Sequence, residues 1–356
     1  MAAFPPSSQS RPRLALTLGD PAGIGPEVVL KALAHQDWWA QAEITVFGTE
    51  ALWRQNLAWL SLDQDGEIRA VMEAIKWFEV DPPLPLSVLT PGLGNAATGA
   101  ASFSYLNQAI AQTLAGNFDA IVTGPIAKSA WHAAGYGYPG QTELLAEKAG
   151  ISRFAMGFVA RSPHTHWVLR TLLATTHIPL KQVPGTLTPE LLAEKLQLLI
   201  HSLERDFGLT QPRIAVAGLN PHSGEGGQLG REEEDLIIPW LEQQRRRYPQ
   251  VQIDGPIPAD TLWVLPGQAW FGHASQVVAH DAYLALYHDQ GLIPVKLMAF
   301  DRAVNLTLGL PFVRTSPDHG TAFDIAGKGM ADPSSLVSAL SLAVELTQSR
   351  LDSLVR

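Results

Sequence analysis

The sequence predicts an α/β fold in which helices cover the faces of a mostly parallel sheet. Three observations carry that expectation. Short β-branched and apolar runs alternate with longer stretches of helical periodicity, the order of strands joined by crossover helices. The chain is 356 residues long, more than one core usually holds, so two domains are expected. One antiparallel departure is also legible: FAMGFVA (154–160) and THWVLRTLLA (165–174) flank RSPH, the arrangement of a hairpin.

The elements follow in order. RLALTL (13–18) reads as a buried strand, and a helix begins near Pro26 because proline suits the first helical turn. EITVFG (43–48) is the second strand, and 61–85 reads as irregular. TGAASFSYLNQAIAQTLAGN (98–117) has apolar residues at helical spacing and stops at Gly116. DAIVTGP (119–125) is a strand with a turn at its exit. Beyond the hairpin, a helix is expected from Pro189 to about Phe207, a strand at RIAVAGL (213–219), and a helix from about Glu232 to Arg247. WVLPGQAWFGHASQ (263–276), aromatic and broken by glycine and proline, reads as a surface excursion. In the segment 287–328, His288 ends one apolar strand, Lys296 sits within the next and Arg314 stands at the end of a third. SSLVSALSLAVELTQSRL (334–351) is the closing helix.

Composition excludes several classes. With 46% apolar and 17% charged residues the chain is a globular protein rather than a disordered one. A net charge of −9 without any Lys/Arg-rich run argues against a nucleic-acid surface. The absence of cysteine excludes disulfides, thiolate catalysis and Cys-ligated metals, so any metal must be held by His, Asp or Glu. No apolar run approaches the ~20 residues a bilayer span needs. The N-terminus lacks the apolar core of a signal peptide, and residues 1–12 are expected to be a disordered tail. A cytoplasmic protein is the expectation.

Five motifs bear chemistry. GDPAGIGPE (19–27) lacks the ending of a phosphate-binding P-loop and does not fit G-x-G-x-x-G; it reads either as an anion cradle or as a tight turn. His177, His222 and His288 each stand just past an apolar strand, where ligands gather in open α/β sheets. Three neutral imidazoles leave a divalent ion strongly Lewis acidic. Lys296, Asn305 and Arg314 lie in or beside apolar stretches, suited either to a phosphate or carboxylate or to an internal salt bridge with Asp301 or Asp318. In DHGTAFDIAGKGMADP (318–333), His319, Gly320 and Thr321 offer a compact turn with donors. Ala322 is a small neighbour there, and Asp324 an acceptor for a ribose hydroxyl. Finally, Thr142 and Glu143 begin a helix, so Gln141 and Thr142 sit where an anion is favoured, although a plain cap is the commoner role of such a position.

Taken together, GDPAGIGPE, VTGPIAK (122–128), ATTH (174–177), GLNPHSGEGG (218–227), DGPIPADT (254–261), YHDQGLIPVK (287–296) and VNLTLGLPFVRTSPDHGTA (304–322) resemble the 4-hydroxythreonine-4-phosphate dehydrogenase family of pyridoxal phosphate biosynthesis. The resemblance runs from about residue 13 to 340, with the motifs in order. GDPAGIGPE and HGTAFDIAGKGMADP are also similar to the wider isopropylmalate/isocitrate dehydrogenase superfamily, whose members bind a nicotinamide cofactor without the Rossmann fingerprint.

The resemblance implies two α/β/α domains with a cleft between them. One comprises 13–140 with 310–356 on the cofactor side; the other, 141–309, carries metal, substrate and dimerisation surfaces. It implies a homodimer whose active site is shared between subunits. His177 and His222 of one subunit and His288 of the other would hold zinc, cobalt or magnesium. Gln141, Thr142, Lys296, Asn305 and Arg314 would contact substrate, and NAD or NADP would be the cofactor. The expected reaction is oxidation of 4-phosphooxy-L-threonine to 2-amino-3-oxo-4-phosphooxybutanoate, which decarboxylates to 3-amino-2-oxopropyl phosphate. Asp260 and Lys296 are the candidates for proton handling. One departure stands out: the family usually has His-Thr where this chain has Gln141-Thr142. The alternatives are a related dehydrogenase of 4-phospho-D-threonate or erythronate, and a metal-dependent hydrolase or aldolase.

Overall fold

In the computed structural model, which describes residues 11–58, 66–81, 89–272 and 277–355, the strands join into one eleven-stranded sheet. In chain order they are β1 (Arg13–Thr17), β2 (Glu43–Gly48), β3 (Lys76–Glu79), β4 (Ala120–Thr123), β5 (Ala155–Arg161), β6 (Val168–Leu173), β7 (Arg213–Ala217), β8 (Gln252–Ile257), β9 (Ala282–Ala285), β10 (Val304–Leu308) and β11 (Val313–Pro317). Their spatial order is β3-β2-β1-β4-β11-β10-β5-β6-β9-β7-β8. The strands β3, β2, β1, β4 and β11 run parallel, as do β6, β9, β7 and β8. Antiparallel pairings of β10 with β11 and β5, and of β5 with β6, join the two blocks. The expected hairpin is therefore present, and it turns the second block against the first.

Parallel strands covered on both faces are apolar along their interior, as β1 is from Leu14 to Leu16 and β4 from Ala120 to Val122. Leu14, Leu16, Ile121 and Val122 are fully buried, in register across the β1–β4 pair. The closing helix, Ser334–Val355, lays Leu336, Leu340 and Leu346 into the same core. A second cluster around Phe158, Leu169, Trp270 and Tyr283 lies under the later strands.

Register decides which side chains reach the functional face. Asn305 pairs with Phe158 on one side and Ser316 on the other, and Thr307 pairs with Met156. Because strand side chains alternate, Asn305, Thr307, Arg314, Ser316, Met156 and Phe158 share one face.

Three expectations are corrected. Lys296 lies on a helix, His288–Ala299, and not within a strand. Leu292, Val295 and Ala299 are buried at helical spacing, a pattern that a short apolar run does not separate from a strand. Gly291 lets this helix lie close on the sheet: a Cβ there would sit 2.6 Å from Leu173 Cδ2. Next, the segment 61–85 is not wholly irregular, since it contains the helix Gly66–Ala74 and β3; residues 61–65 and 82–85 lie outside the described set. Last, the excursion at 263–276 is mainly the helix Val264–Phe271, which buries Trp270; residues 273–276 are outside the described set, as are 1–10 of the expected tail.

GDPAGIGPE resolves as a tight turn. Gly19 has φ +73°, and a Cβ on it would strike the Pro125 carbonyl oxygen at 2.3 Å. Ile24 N donates to the Thr321 carbonyl, and Gly92 N to that of Ala22, so three loops interlock here. Asp20 is fully buried, accepting from Ala22 N and Thr98 Oγ1. Burial pushes its carboxyl up to about 6, against 3.8 for the free side chain. Between those values the folded state keeps a proton that the unfolded chain has lost, so stability falls as pH rises through the window. Asp20→Asn removes the penalty: its stability should match wild type near pH 4 and exceed it by about 3 kcal/mol at pH 7, read from urea melts at both pH values.

Candidate active site

The functional face opens into a cleft of about 790 Å³. Its lining combines Thr123–Ile126 and Lys128 at the exit of β4, Gln141–Glu143, the inward residues of β5, β10 and β11, His177, the helix from His288, and Asp318–Gly320. The exits of β4, β6 and β11 bring Lys128, His177 and Asp318 to it, at the strand ends where an open α/β sheet places ligands.

Arg314 dominates the floor. It is 3% exposed, and its partners are all neutral: Nη1 donates to Thr307 Oγ1 (3.0 Å), and Nη2 to Thr123 Oγ1 (2.8 Å) and Gln141 Oε1 (2.9 Å). Its Nε is buried without a partner. Burial lowers the guanidinium to about 10, which leaves it charged at neutral pH. A buried cation bonded to no carboxylate is an unmet demand for an anion.

Lys296 also lines the cleft, paired with Asp318 and donating to the Asp318 backbone oxygen at 2.8 Å. The internal salt bridge weighed from sequence therefore exists, within the cleft itself. Burial pushes the Asp318 carboxyl above the usual range, although Lys296 opposes the shift. Asn305 Oδ1 is buried without a partner, an acceptor that suits a ligand's ammonium or hydroxyl.

His177 and His288 come together at the cleft, with ring centroids 5.4 Å apart. Burial is the main reason that the His177 imidazole is held below its ordinary pKa, and Lys128 and His288 add to the effect. Neutral imidazoles are the form that coordinates divalent cations, so the donor chemistry of this pair fits a metal. His222 is not part of the lining: it sits on an exposed left-handed turn, φ +52°, at the end of β7. Among the described residues of one chain, no group of three His, Asp or Glu is placed to hold a metal. The resemblance puts His177 and His222 in one subunit, whereas the neighbours within one chain are His177 and His288.

The other expected residues divide likewise. Gln141, Thr142, Lys296, Asn305, Arg314, His319 and Gly320 line the cleft. Thr321, Ala322 and Asp324 do not: Thr321 is packed against Gly23, and Asp324 is exposed outside it. Asp260 is exposed outside the cleft, on a short helix that packs against the turn bearing His222. Sequence reasoning passed over Lys128, the last residue of VTGPIAK, which also lines the cleft; its signal was a cation directly after a strand exit.

Fold and cleft together define an α/β enzyme for a small anionic substrate. Residues 40–343 match the family model described as "Pyridoxal phosphate biosynthetic protein PdxA". A relative from Nostoc sp., named 4-hydroxythreonine-4-phosphate dehydrogenase, is 63% identical over 96% of this chain and 94% of its own length. One from Synechocystis sp. with the same name is 61% identical over 96% and 97%. The crystal structure of 4-hydroxythreonine-4-phosphate dehydrogenase from Klebsiella pneumoniae superposes with a TM-score of 0.78, at 36% identity, over 96% of this chain and all of that one. The chain belongs to the PdxA family. No helix among the described residues is long and apolar enough to cross a membrane.

Proposed function

We propose that this protein is an NAD(P)-dependent dehydrogenase that oxidises 4-phosphooxy-L-threonine at its C3 hydroxyl, in the synthesis of pyridoxal 5′-phosphate. The observation that carries the reading is Arg314, a buried cation with only neutral partners, facing the same cleft as paired imidazoles. Family membership supplies the reaction class.

Arg314 and Lys296 neutralise the phosphate, with Thr142 at the helix N-terminus completing the cradle. Asn305 accepts from the substrate ammonium. His177 and His288 would hold a divalent cation (zinc, cobalt or magnesium), which supplies Lewis acidity toward the hydroxyl and carboxylate. His319 and Gly320, which line the cleft, would face a bound nicotinamide cofactor, which would supply the hydride acceptor. Lys296 lies in the cleft with its ammonium on Asp318, and the Asp318 carboxylate is the member of the pair that takes the proton released from the hydroxyl. The β-keto acid formed then loses carbon dioxide.

The site is completed by a second copy of the chain. On the helix His288–Ala299 and the residue after it, Ile293, Leu297 and Phe300 form an apolar stripe exposed by 57%, 79% and 75%, beginning at the rim of the cleft. Such a stripe is suited to an interface. His222 and Asp260, neighbours on the outer surface, are the groups a second copy would bring to the cleft. The lobes are taken as 13–140 with 310–356 and 141–309, because β11 joins β4 while β5 to β10 stay contiguous. Leu297→Glu combined with Phe300→Glu should convert a dimer into a monomer and abolish turnover, read by sedimentation beside activity; a dimer that persists contradicts this interface.

Purified protein assayed with 4-phosphooxy-L-threonine and with 4-phospho-D-threonate tests the substrate. Turnover of the amino acid should exceed that of the threonate, whose C2 hydroxyl offers the Asn305 acceptor a neutral donor in place of a charged one. Equal or faster turnover of the threonate overturns the assignment.

A further inference from the structure

Gln141 opens the helix Gln141–Lys148 and stands where the family resemblance led to an expected histidine. Its amide is engaged at both ends. Oε1 accepts from Arg314 Nη2 at 2.9 Å, and Nε2 donates to the Gly124 carbonyl oxygen at 3.0 Å. Turning the amide over would set its NH₂ against the guanidinium and its oxygen against a carbonyl, two repulsions in place of two bonds. One orientation survives. Arg314 in turn is fixed from three directions by Thr307, Thr123 and Gln141, none of them charged.

We propose that Gln141 is a positioning residue: it clamps the Arg314 guanidinium in place at the cleft, and the substrate anion is bound by Arg314 rather than by Gln141. The identity of that anion, a phosphate monoester, rests on the function proposed above. A neutral imidazole could make the same two contacts, accepting from Arg314 and donating to Gly124. Once protonated it would become a donor at both nitrogens and face a second cation. Glutamine makes both contacts at every pH, and a carboxylate would neutralise Arg314 and compete with the ligand for it. The amide therefore orients the cation without cancelling its charge or adding a titration.

Gln141→Met keeps the length of the side chain and removes both hydrogen bonds. The assembled enzyme should then show KM for the phosphorylated substrate, and Kd for inorganic phosphate by calorimetry, each raised about tenfold, with kcat within about threefold of wild type. Gln141→Glu, which keeps an acceptor for Arg314 but adds a negative charge, should weaken phosphate binding further. Each variant is compared at a matched fraction folded, judged by its melting curve. An unchanged phosphate Kd in Gln141→Met overturns the clamp, as does a tenfold fall in kcat at constant KM, which would mark a contact with the reacting centre. A wild-type protein that binds phosphate yet never reduces nicotinamide overturns the proposed function instead, and the phosphate comparison still decides the clamp.

Discussion

Replacing Arg314 with methionine is expected to weaken binding of the phosphorylated substrate by about 100-fold while leaving the melting temperature unchanged or raised. The two halves have one cause. The guanidinium is buried, its Nε lacks a partner, and no carboxylate bonds to it. Burying a charge whose hydrogen-bond partners are all neutral is costly even with the Glu143 carboxylate acting on it from further off, and a side chain of similar length without charge avoids that cost. Residues held against stability are expected where function needs them. A variant that unfolds readily and still binds phosphate would show Arg314 to be structural. The readouts are thermal melting without ligand and the Kd for inorganic phosphate, taken on the same preparations.

The second large effect concerns the imidazole pair. Chelation of wild-type enzyme should lower activity by about 1000-fold, the several kcal/mol that Lewis-acid stabilisation contributes, and added zinc, cobalt or magnesium should restore it. His177→Ala and His288→Ala should each fall as far and stay there whatever ion is added. Their folds should survive, because both rings stand at the cleft and not in the core clusters. His222→Ala separates the subunit arrangements. If His222 acts from a second copy, mixing inactive His222→Ala with inactive His177→Ala chains should recover activity in hybrid dimers, since one site of each hybrid contains both histidines. Failure of complementation places the two residues in the same chain's site.

The sheet was legible where burial on both faces makes a strand uniformly apolar, as in β1, β4 and β7. It was misread at 288–299, where one face of the helix carries Ile293, Leu297 and Phe300 in place of polar residues. An apolar outer face erases the alternation by which an amphipathic helix is recognised, and a short apolar run then reads equally well as a strand. The cleft residues on β10 and β11 were found from their chemistry: Asn305 and Arg314 are polar where a strand interior should be apolar. Alternation then sets them on one face with Ser316. The link between Gln141 and Arg314 was not legible, since it joins residues 173 positions apart and depends on Gly124 supplying a carbonyl. His222 shows the opposite limit. Its position past a strand was read correctly, yet the left-handed turn at 222–225 directs it outside the cleft of its own chain.

A crystal structure of the enzyme grown with a divalent metal and 4-phosphooxy-L-threonine tests the central claim most directly, with anomalous scattering to locate the ion. The account predicts the ion on His177 and His288 of one chain, with the substrate phosphate on Arg314 and Lys296 in the same cleft. An ion bound elsewhere, or a phosphate seated away from Arg314, would contradict it.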